Sequence, residues 1–347
     1  MTTPGVEGTS PESGVRVWAR SWRLAGRHVT WRSAVGILAT VLFVAVGLVG
    51  ATRYVWTYWL FRGFAAPSTP TQVITGRGHS RAVVAVAPTT VVSFTLTTPA
   101  LDDFPDPVDV VLPPHYAEDP TVRYPTLYLL HGQPGEPQNY LDIGNVQGVE
   151  ATLVAEHRMK PMIIVLPTGS PGFLDDTEWA DATRPGNAWL TFVATDLVAA
   201  IDKRYRTIPD GADRVIGGFS EGAYGALNIA LHHVGEFDTI ESWSGYMSAL
   251  HMPTIFGTDP AVYRENSPVD ELRAEVAKVK STGTYFWMYT GTAEPYAHQQ
   301  TVRFATELTR LGIPNIYIRA SGTHDWALWR GMVPTSLIAA SDHVAGG

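Results

Sequence analysis

The sequence holds 347 residues, with 25 basic side chains against 33 acidic ones for a formal charge of -8, and no cysteine. That length supports one large or two ordinary domains, able to bury a core without covalent staples. The absence of cysteine excludes disulfide frameworks, thiol nucleophiles, iron–sulfur clusters and cysteine-ligated zinc.

The charge is unevenly divided along the chain. Residues 1–53 carry six Arg and two Glu, a balance of +4, and the remainder carries 19 basic and 31 acidic residues, or -12. An acidic body argues against nucleic acid as a partner. Residues 33–52, between Arg32 and Arg53, are uncharged and dominated by Val, Leu, Ala, Ile, Phe and Gly. As a helix they extend about 30 Å, the thickness of a bilayer hydrocarbon core. Arg16, Arg20, Arg23, Arg27 and Arg32 precede the span, so the positive-inside rule places residues 1–32 in the cytoplasm and the acidic body outside.

Tyr54, Trp56, Tyr58, Trp59, Phe61 and Phe64 follow, spaced all round a helix as in an interfacial aromatic belt. The rival reading is a cleaved signal peptide with Val49-Gly50-Ala51 as its cleavage site. Against it, the apolar stretch exceeds the usual h-region of about 7–15 residues, and its leader is long. A buried core helix is a third reading, opposed by the flanking arginines and aromatics. Residues 65–80 are rich in Pro, Thr and Ser and read as a tether. The expected organisation is a basic cytoplasmic segment (1–32), a transmembrane helix (33–52), a juxtamembrane segment and linker (53–80) and one α/β domain (81–347).

Within that domain, short β-branched runs at 82–87, 90–96 and 108–112 come first. Buried strands are then predicted at 126–130, 162–166, 214–217, 239–243, 284–289 and 315–319. Helical periodicity lies between them, near 145–157, 187–204, 221–233, 264–280, 296–311 and 326–340. Such alternation predicts an α/β fold with a mostly parallel sheet, helices on both faces and antiparallel strands at its start.

Gly218-Phe219-Ser220-Glu221-Gly222 fits G-x-S-x-G between a predicted strand and a predicted helix, the context of a nucleophile elbow. The bland alternative is a Gly-rich turn with a Ser helix cap. A serine nucleophile needs a base and an orienting acid, in the chain order Ser, Asp/Glu, His for this kind of sheet. His324 falls in the loop after the last predicted strand and Glu294 in the loop after the strand before it, both at the sheet edge that carries Ser220. Asp270 competes for the acid role, but its surroundings read as a helix N-terminus. The oxyanion of an acyl-transfer intermediate needs two backbone donors, expected from the amides of Glu221 and Gln133. His131 is expected to be structural. Trp179, Arg184 and Trp189, in the segment 171–189, and Trp326 are candidates for shaping substrate binding; a packed surface loop is an equal reading of 171–189.

The segments Tyr124 to Gly132, Asp196 to Arg206, Gly217 to Gly225, Trp243-Ser244-Gly245 and Gly322-Thr323-His324-Asp325-Trp326 resemble the esterase D-like α/β-hydrolases. That family includes S-formylglutathione hydrolases, enterochelin-type esterases and the antigen 85 mycolyltransferases. The resemblance spans about residues 90–340 and implies an α/β-hydrolase fold with a Ser220–His324–Glu294 triad. A glutamate acid and Gly-Thr-His-x-Trp are closer to the mycolyltransferase branch, although the oxyanion loop begins His-Gly where that branch has Asp-Gly. The expectation is a membrane-anchored extracytoplasmic serine esterase acting on lipid or small-molecule esters of the envelope, with no cofactor and no metal. An acyltransferase passing the acyl group to a sugar or lipid hydroxyl is the alternative, and a non-catalytic scaffold on the same fold a further one.

Overall fold

The structure, a computed structural model, describes residues 22–24, 27–29, 31–55, 60, 86–172, 175–183, 185–249 and 252–345. The expected basic segment before residue 22, the tether at 65–80, most of the run at 82–87 and Arg184 lie outside the described residues. The chain divides into two compact units, Met1–Tyr54 and Val55–Gly347.

The first unit pairs two short antiparallel strands, β1 (Trp22–Leu24) and β2 (Arg27–Val29), ahead of a helix, Trp31–Tyr54. Ala34–Thr52 within it has a mean hydropathy of 2.5, and its described side chains from Ala34 to Ala51 are exposed. The helix is long and apolar enough to cross a membrane, a test that a signal sequence near an N-terminus also passes.

The second unit is built on eight strands: β3 (Thr90–Thr97), β4 (Pro105–Leu112), β5 (Thr126–Leu130), β6 (Ile163–Pro167), β7 (Arg214–Phe219), β8 (Thr239–Trp243), β9 (Tyr285–Gly291) and β10 (Asn315–Ala320). Their order in the sheet is β10-β9-β8-β7-β5-β6-β4-β3. From β6 to β10 every pairing is parallel, whereas β4 runs antiparallel to both β3 and β6. This is the α/β-hydrolase architecture, with an antiparallel start on a parallel sheet.

β5, β6, β7, β8 and β9 are buried along their whole length, which is why β5, β6 and β9 read as near-continuous apolar runs instead of alternating ones, whereas β8 buries Glu241 with Trp243 and Ser336 bonded to it. Two large clusters sandwich the sheet, one including Phe192, Leu227, Phe237 and Phe304, the other including Tyr140, Phe219, Trp243 and Trp329. Parallel strands require a crossover between them, and all their C-terminal ends therefore meet at one edge, where the loops carrying Ser220, Glu294 and His324 gather.

Two boundaries differ from the sequence reading by more than two residues. β4 starts at Pro105, three residues before the expected Val108. Successive residues turn their N–H groups to opposite edges, so Pro105 and Pro107 lack donors on one edge only, and pairing with β6 begins at Val108. The helix expected at 264–280 is two helices, Pro260–Glu265 and Pro268–Thr282, each with a proline in its first turn where the missing donor costs nothing.

Candidate active site

β7 delivers the chain to Ser220 at its C-terminal end. Ser220 has φ 57° and ψ -120°, a conformation that non-glycine residues adopt only under constraint. The constraint is visible on both sides. Ser220 N–H donates to the Trp243 carbonyl at 2.9 Å, and the helix Glu221–His232 starts at the next residue. A Cβ on Gly222 would lie 2.0 Å from the Leu130 carbonyl oxygen, and one on Gly218 2.3 Å from the same atom. The two glycines of the motif thus let the turn press against β5.

His324 Nε2 is 2.9 Å from Ser220 Oγ, and His324 Nδ1 is 2.5 Å from Glu294 Oε1. The three residues come from loops separated by 74 and 30 positions, and the parallel sheet brings them into one line. Glu294 is 6% exposed, whereas the His324 side chain keeps 37% of its surface. Burial opposes ionisation of Glu294, but hydrogen bonds from His324, Gly291 N–H and Ser244 outweigh it and hold the carboxyl below the usual range. An imidazole between a hydroxyl and an ionised acid can take the hydroxyl proton and remain stabilised as a cation.

The loop after β5 runs alongside the serine: a Cβ on Gly132 would be 2.9 Å from Ser220 Cβ. Gln133 follows directly. Glu221 opens the helix, in the first turn, where amides have no intrahelical acceptor and the helix dipole is positive. His131 is 3% exposed, pushed down in pKa by burial, and makes a short hydrogen bond through Nε2 with the Thr168 carbonyl. Nδ1 faces the Gly132 carbonyl at 3.0 Å, so both ring nitrogens are engaged by loop backbone and His131 is a structural part of the loop.

A cleft of ≈ 340 Å³ opens over Ser220 and His324, walled mainly by Ser244, Gly245, Tyr246, Ala293, Pro295 and Tyr296. No Lys or Arg lines it among the described residues. Tyr296 is 62% exposed and is the sole large aromatic among the exposed hydrophobics of the described second unit.

The tryptophans expected at the substrate rim are elsewhere. Trp179 and Trp189 are fully buried, packed edge to face on one another and on His131 and Phe192. Within 171–189, residues 177–180 and 189 are buried, drawn in by these rings, while Pro171, Asp175, Asp176, Asp181 and Pro185 stay exposed, and Gly225 makes room for Trp179. Trp326 is likewise buried against Tyr140, Phe219 and Trp329, and is absent from the cleft wall.

The sequence reading missed Ser244, Trp329, Tyr246 and Tyr296. Ser244 donates to Glu294 Oε2 at 2.8 Å and receives Trp329 Nε1 at 3.2 Å; the Trp329 ring also meets His324 edge to face at 5.0 Å. The signal for Ser244 was in view, since Trp243-Ser244-Gly245 ends a strand at the same sheet edge as Ser220. Nothing local marks Trp329.

The chain is similar to several known proteins. An uncharacterized protein of Corynebacterium glutamicum is 22% identical over 227 residues, 63% of this chain and 53% of its own length. An esterase of Mycobacterium tuberculosis is 33% identical over 140 residues, 40% of this chain and 28% of that protein. The chain thus spans about half the length of the first relative and far less of the second. Among solved structures, a ferulic acid esterase superposes with a TM-score of 0.65 at 26% identity, covering 75% of this chain and all of that one. MPT51 of Mycobacterium tuberculosis superposes with a TM-score of 0.59 at 17% identity, covering 74% and 99% of the two chains, which speaks to fold alone. The model of the "Putative esterase" family matches residues 105–340, and the chain belongs to that esterase family.

Proposed function

We propose that the chain is a serine carboxylic-ester hydrolase held in a membrane by residues 33–52, with its catalytic body outside the cytoplasm. The observation that carries the chemistry is the unbroken line Ser220 Oγ, His324, Glu294 at the floor of an apolar cleft. Ser220 attacks the ester carbonyl as His324 Nε2 takes its proton, and Glu294 stabilises the imidazolium. The amides of Gln133 and Glu221 receive the oxyanion. Collapse expels the alcohol with the proton returned by His324, and water then repeats the sequence on the acyl-enzyme.

The test is turnover of p-nitrophenyl esters with fluorophosphonate labelling. Wild type is expected to label and turn over, and Ser220→Ala to lose the label and at least about 10³-fold in kcat. A Ser220→Ala protein with wild-type turnover refutes the assignment, and a folded wild type that never labels supports the scaffold reading instead.

Acyl transfer is the second reading. His324 keeps a third of its side chain open to the cleft, room for an acceptor hydroxyl in place of water. Product analysis with and without trehalose separates the two, because transfer produces an acylated sugar at the expense of free acid.

The hydropathy of Ala34–Thr52 and the arginines before it support the anchor. Retention in the membrane pellet after alkaline carbonate extraction is expected, and release of a shortened chain indicates a cleaved signal. An outward-facing anchored esterase is positioned for acylated lipids and glycans of the envelope. Incubation with a total envelope lipid extract, read by mass spectrometry, identifies which species is consumed.

A further inference from the structure

Three carboxyl groups converge behind the nucleophile elbow, and the Ser220–His324–Glu294 line uses none of them. The Glu221 carboxyl, 5% exposed, lies against the backbone N–H groups of Thr177 and Glu178. Glu178, 4% exposed, receives a short hydrogen bond from the Tyr246 hydroxyl on Oε2, and its N–H donates to Asp176 Oδ1 at 3.2 Å. Tyr246 is a wall of the cleft and stacks on Tyr224 with ring centroids 5.0 Å apart. One residue on, Trp179 Nε1 donates to the His131 carbonyl of the oxyanion loop at 3.0 Å. Glu178 therefore sits where the elbow helix, the cleft wall and the oxyanion loop are tied together.

Two costs mark the node. Glu178 and Trp179 are consecutive residues in the left-handed region, at φ 51° and 50°, which side chains other than glycine resist. The Glu178 and Glu221 carboxyls are buried beside one another, with the exposed Asp176 near them, and among the described residues no cation is one of the groups acting on them. Carboxyls so placed keep their protons, since ionising both would leave like charges unpaired in a dry site.

We propose that Glu178 is a positioning residue: its buried carboxyl, between the Tyr246 hydroxyl and the elbow helix, holds the cleft wall and the Glu221 amide in register around Ser220. The inference rests on the Ser220 esterase reading. Burial first, and then the Asp176 charge, push Glu178 up to about 8, and burial with the Glu178 and Asp176 charges pushes Glu221 well above its usual range. The groups facing Glu178 are Asp176 on its own segment, Glu221 and Tyr224 on the elbow helix, Tyr246 on the cleft wall and neutral His131 beyond Trp179. As pH rises through about 8, Glu178 loses its proton and becomes a negative charge facing Glu221 and Asp176; that repulsion outweighs the gain in its bond from Tyr246, and the contact with the elbow helix loosens.

The experiment is the pH profile of kcat and kcat/KM on a p-nitrophenyl ester for full-length wild type, Glu178→Gln, Glu178→Ala and Tyr246→Phe. Wild-type kcat/KM is expected to fall above about pH 8. Glu178→Gln has no proton to lose, and its alkaline limb moves up by about one pH unit or more. Tyr246→Phe removes a hydrogen bond that favours the carboxylate, and also moves the limb upward. At pH 7, Glu178→Ala has kcat about tenfold below Glu178→Gln with KM within about threefold, the split of a group that orders the site without binding substrate. An alkaline limb shared by wild type and Glu178→Gln overturns the proposal even if Glu178→Ala fails to fold, as does equal kcat in folded Ala and Gln variants. Fluorophosphonate labelling runs beside these assays: unlabelled wild type brings down the esterase reading, and labelled wild type with an unmoved limb brings down this inference alone.

Discussion

Ser244 Oγ donates to Glu294 Oε2 at 2.8 Å, and the direction of that bond is forced by a third group. Trp329 Nε1, 3.2 Å from Ser244 Oγ, is a donor only, so Ser244 must accept from it and spend its own proton on the carboxylate. Gly291 N–H also serves Oε2, leaving Oε1 for His324. Ser244→Ala is expected to lower kcat about tenfold, roughly 1.4 kcal/mol of transition-state stabilisation. Ser244 has φ 56°, which glycine tolerates, so Ser244→Gly separates backbone strain from the hydroxyl. Equal losses in the two variants assign the effect to the hydrogen bond, and recovery in Ser244→Gly would assign it to strain.

Gly222 and Gly331 make opposite predictions for the same substitution. A Cβ on Gly222 lies 2.0 Å from backbone that cannot yield, whereas nothing lies within 4 Å of one on Gly331, an exposed position in the helix Trp326–Asp342. Gly222→Ala is expected to lose ester turnover and about 3 kcal/mol or more of stability. Gly331→Ala should gain about 0.5–1 kcal/mol, because alanine loses less backbone entropy on entering a helix. Thermal melting and turnover measured on both check the pair.

Glu150 is fully buried, with Met162 N–H donating to its Oε1, and burial pushes its carboxyl up to about 8. The folded protein therefore keeps a proton that the unfolded chain releases above its ordinary value near 4.5. Stability declines as pH rises between those two values and stops declining above about 8. Glu150→Gln preserves an acceptor for Met162 and removes the penalty. Its melting temperature should exceed wild type at pH 8.5 and approach it at pH 5. A constant difference at both pH values would count against a protonated Glu150.

Trp179 and Trp189 are both buried but differ in their indole N–H groups. Trp179 donates to the His131 carbonyl, and Trp189 Nε1 finds no partner among the described residues. Removing a satisfied donor strands its acceptor, so Trp179→Phe should cost about 1–3 kcal/mol more than Trp189→Phe. Neither ring lines the cleft, and Trp189→Phe should leave KM within about twofold. A large KM change there would return residue 189 to the substrate's side.

The sequence disclosed what repeats along the chain. Most fully buried strands reveal themselves as near-continuous apolar runs, and the G-x-S-x-G turn reveals itself by the glycines that close packing demands at 218 and 222. Chain order then led to Glu294 and His324, which the sheet brings to hydrogen-bond distance of Ser220 in a single line. What stayed hidden depends on contacts between distant segments. Trp179 and Trp189 look like binding aromatics in a polar stretch, and only the pocket made by Gly225 and His131 shows that they are core. Ser244, Trp329 and Tyr246 have neighbours up to 85 positions away, and no local pattern records such a meeting.

Strand β7 has two ends with separate duties. At its start, buried Arg214 is locked between Asp202 and Glu236, at 2.6 and 2.7 Å, and six residues on, about 20 Å away, the chain turns into Ser220. Substitutions among the loops at the serine end leave that ion cluster untouched. New ester preferences can then be explored by the cleft walls, around Tyr246 and Tyr296, while the opposite rim of the sheet continues to hold the domain together.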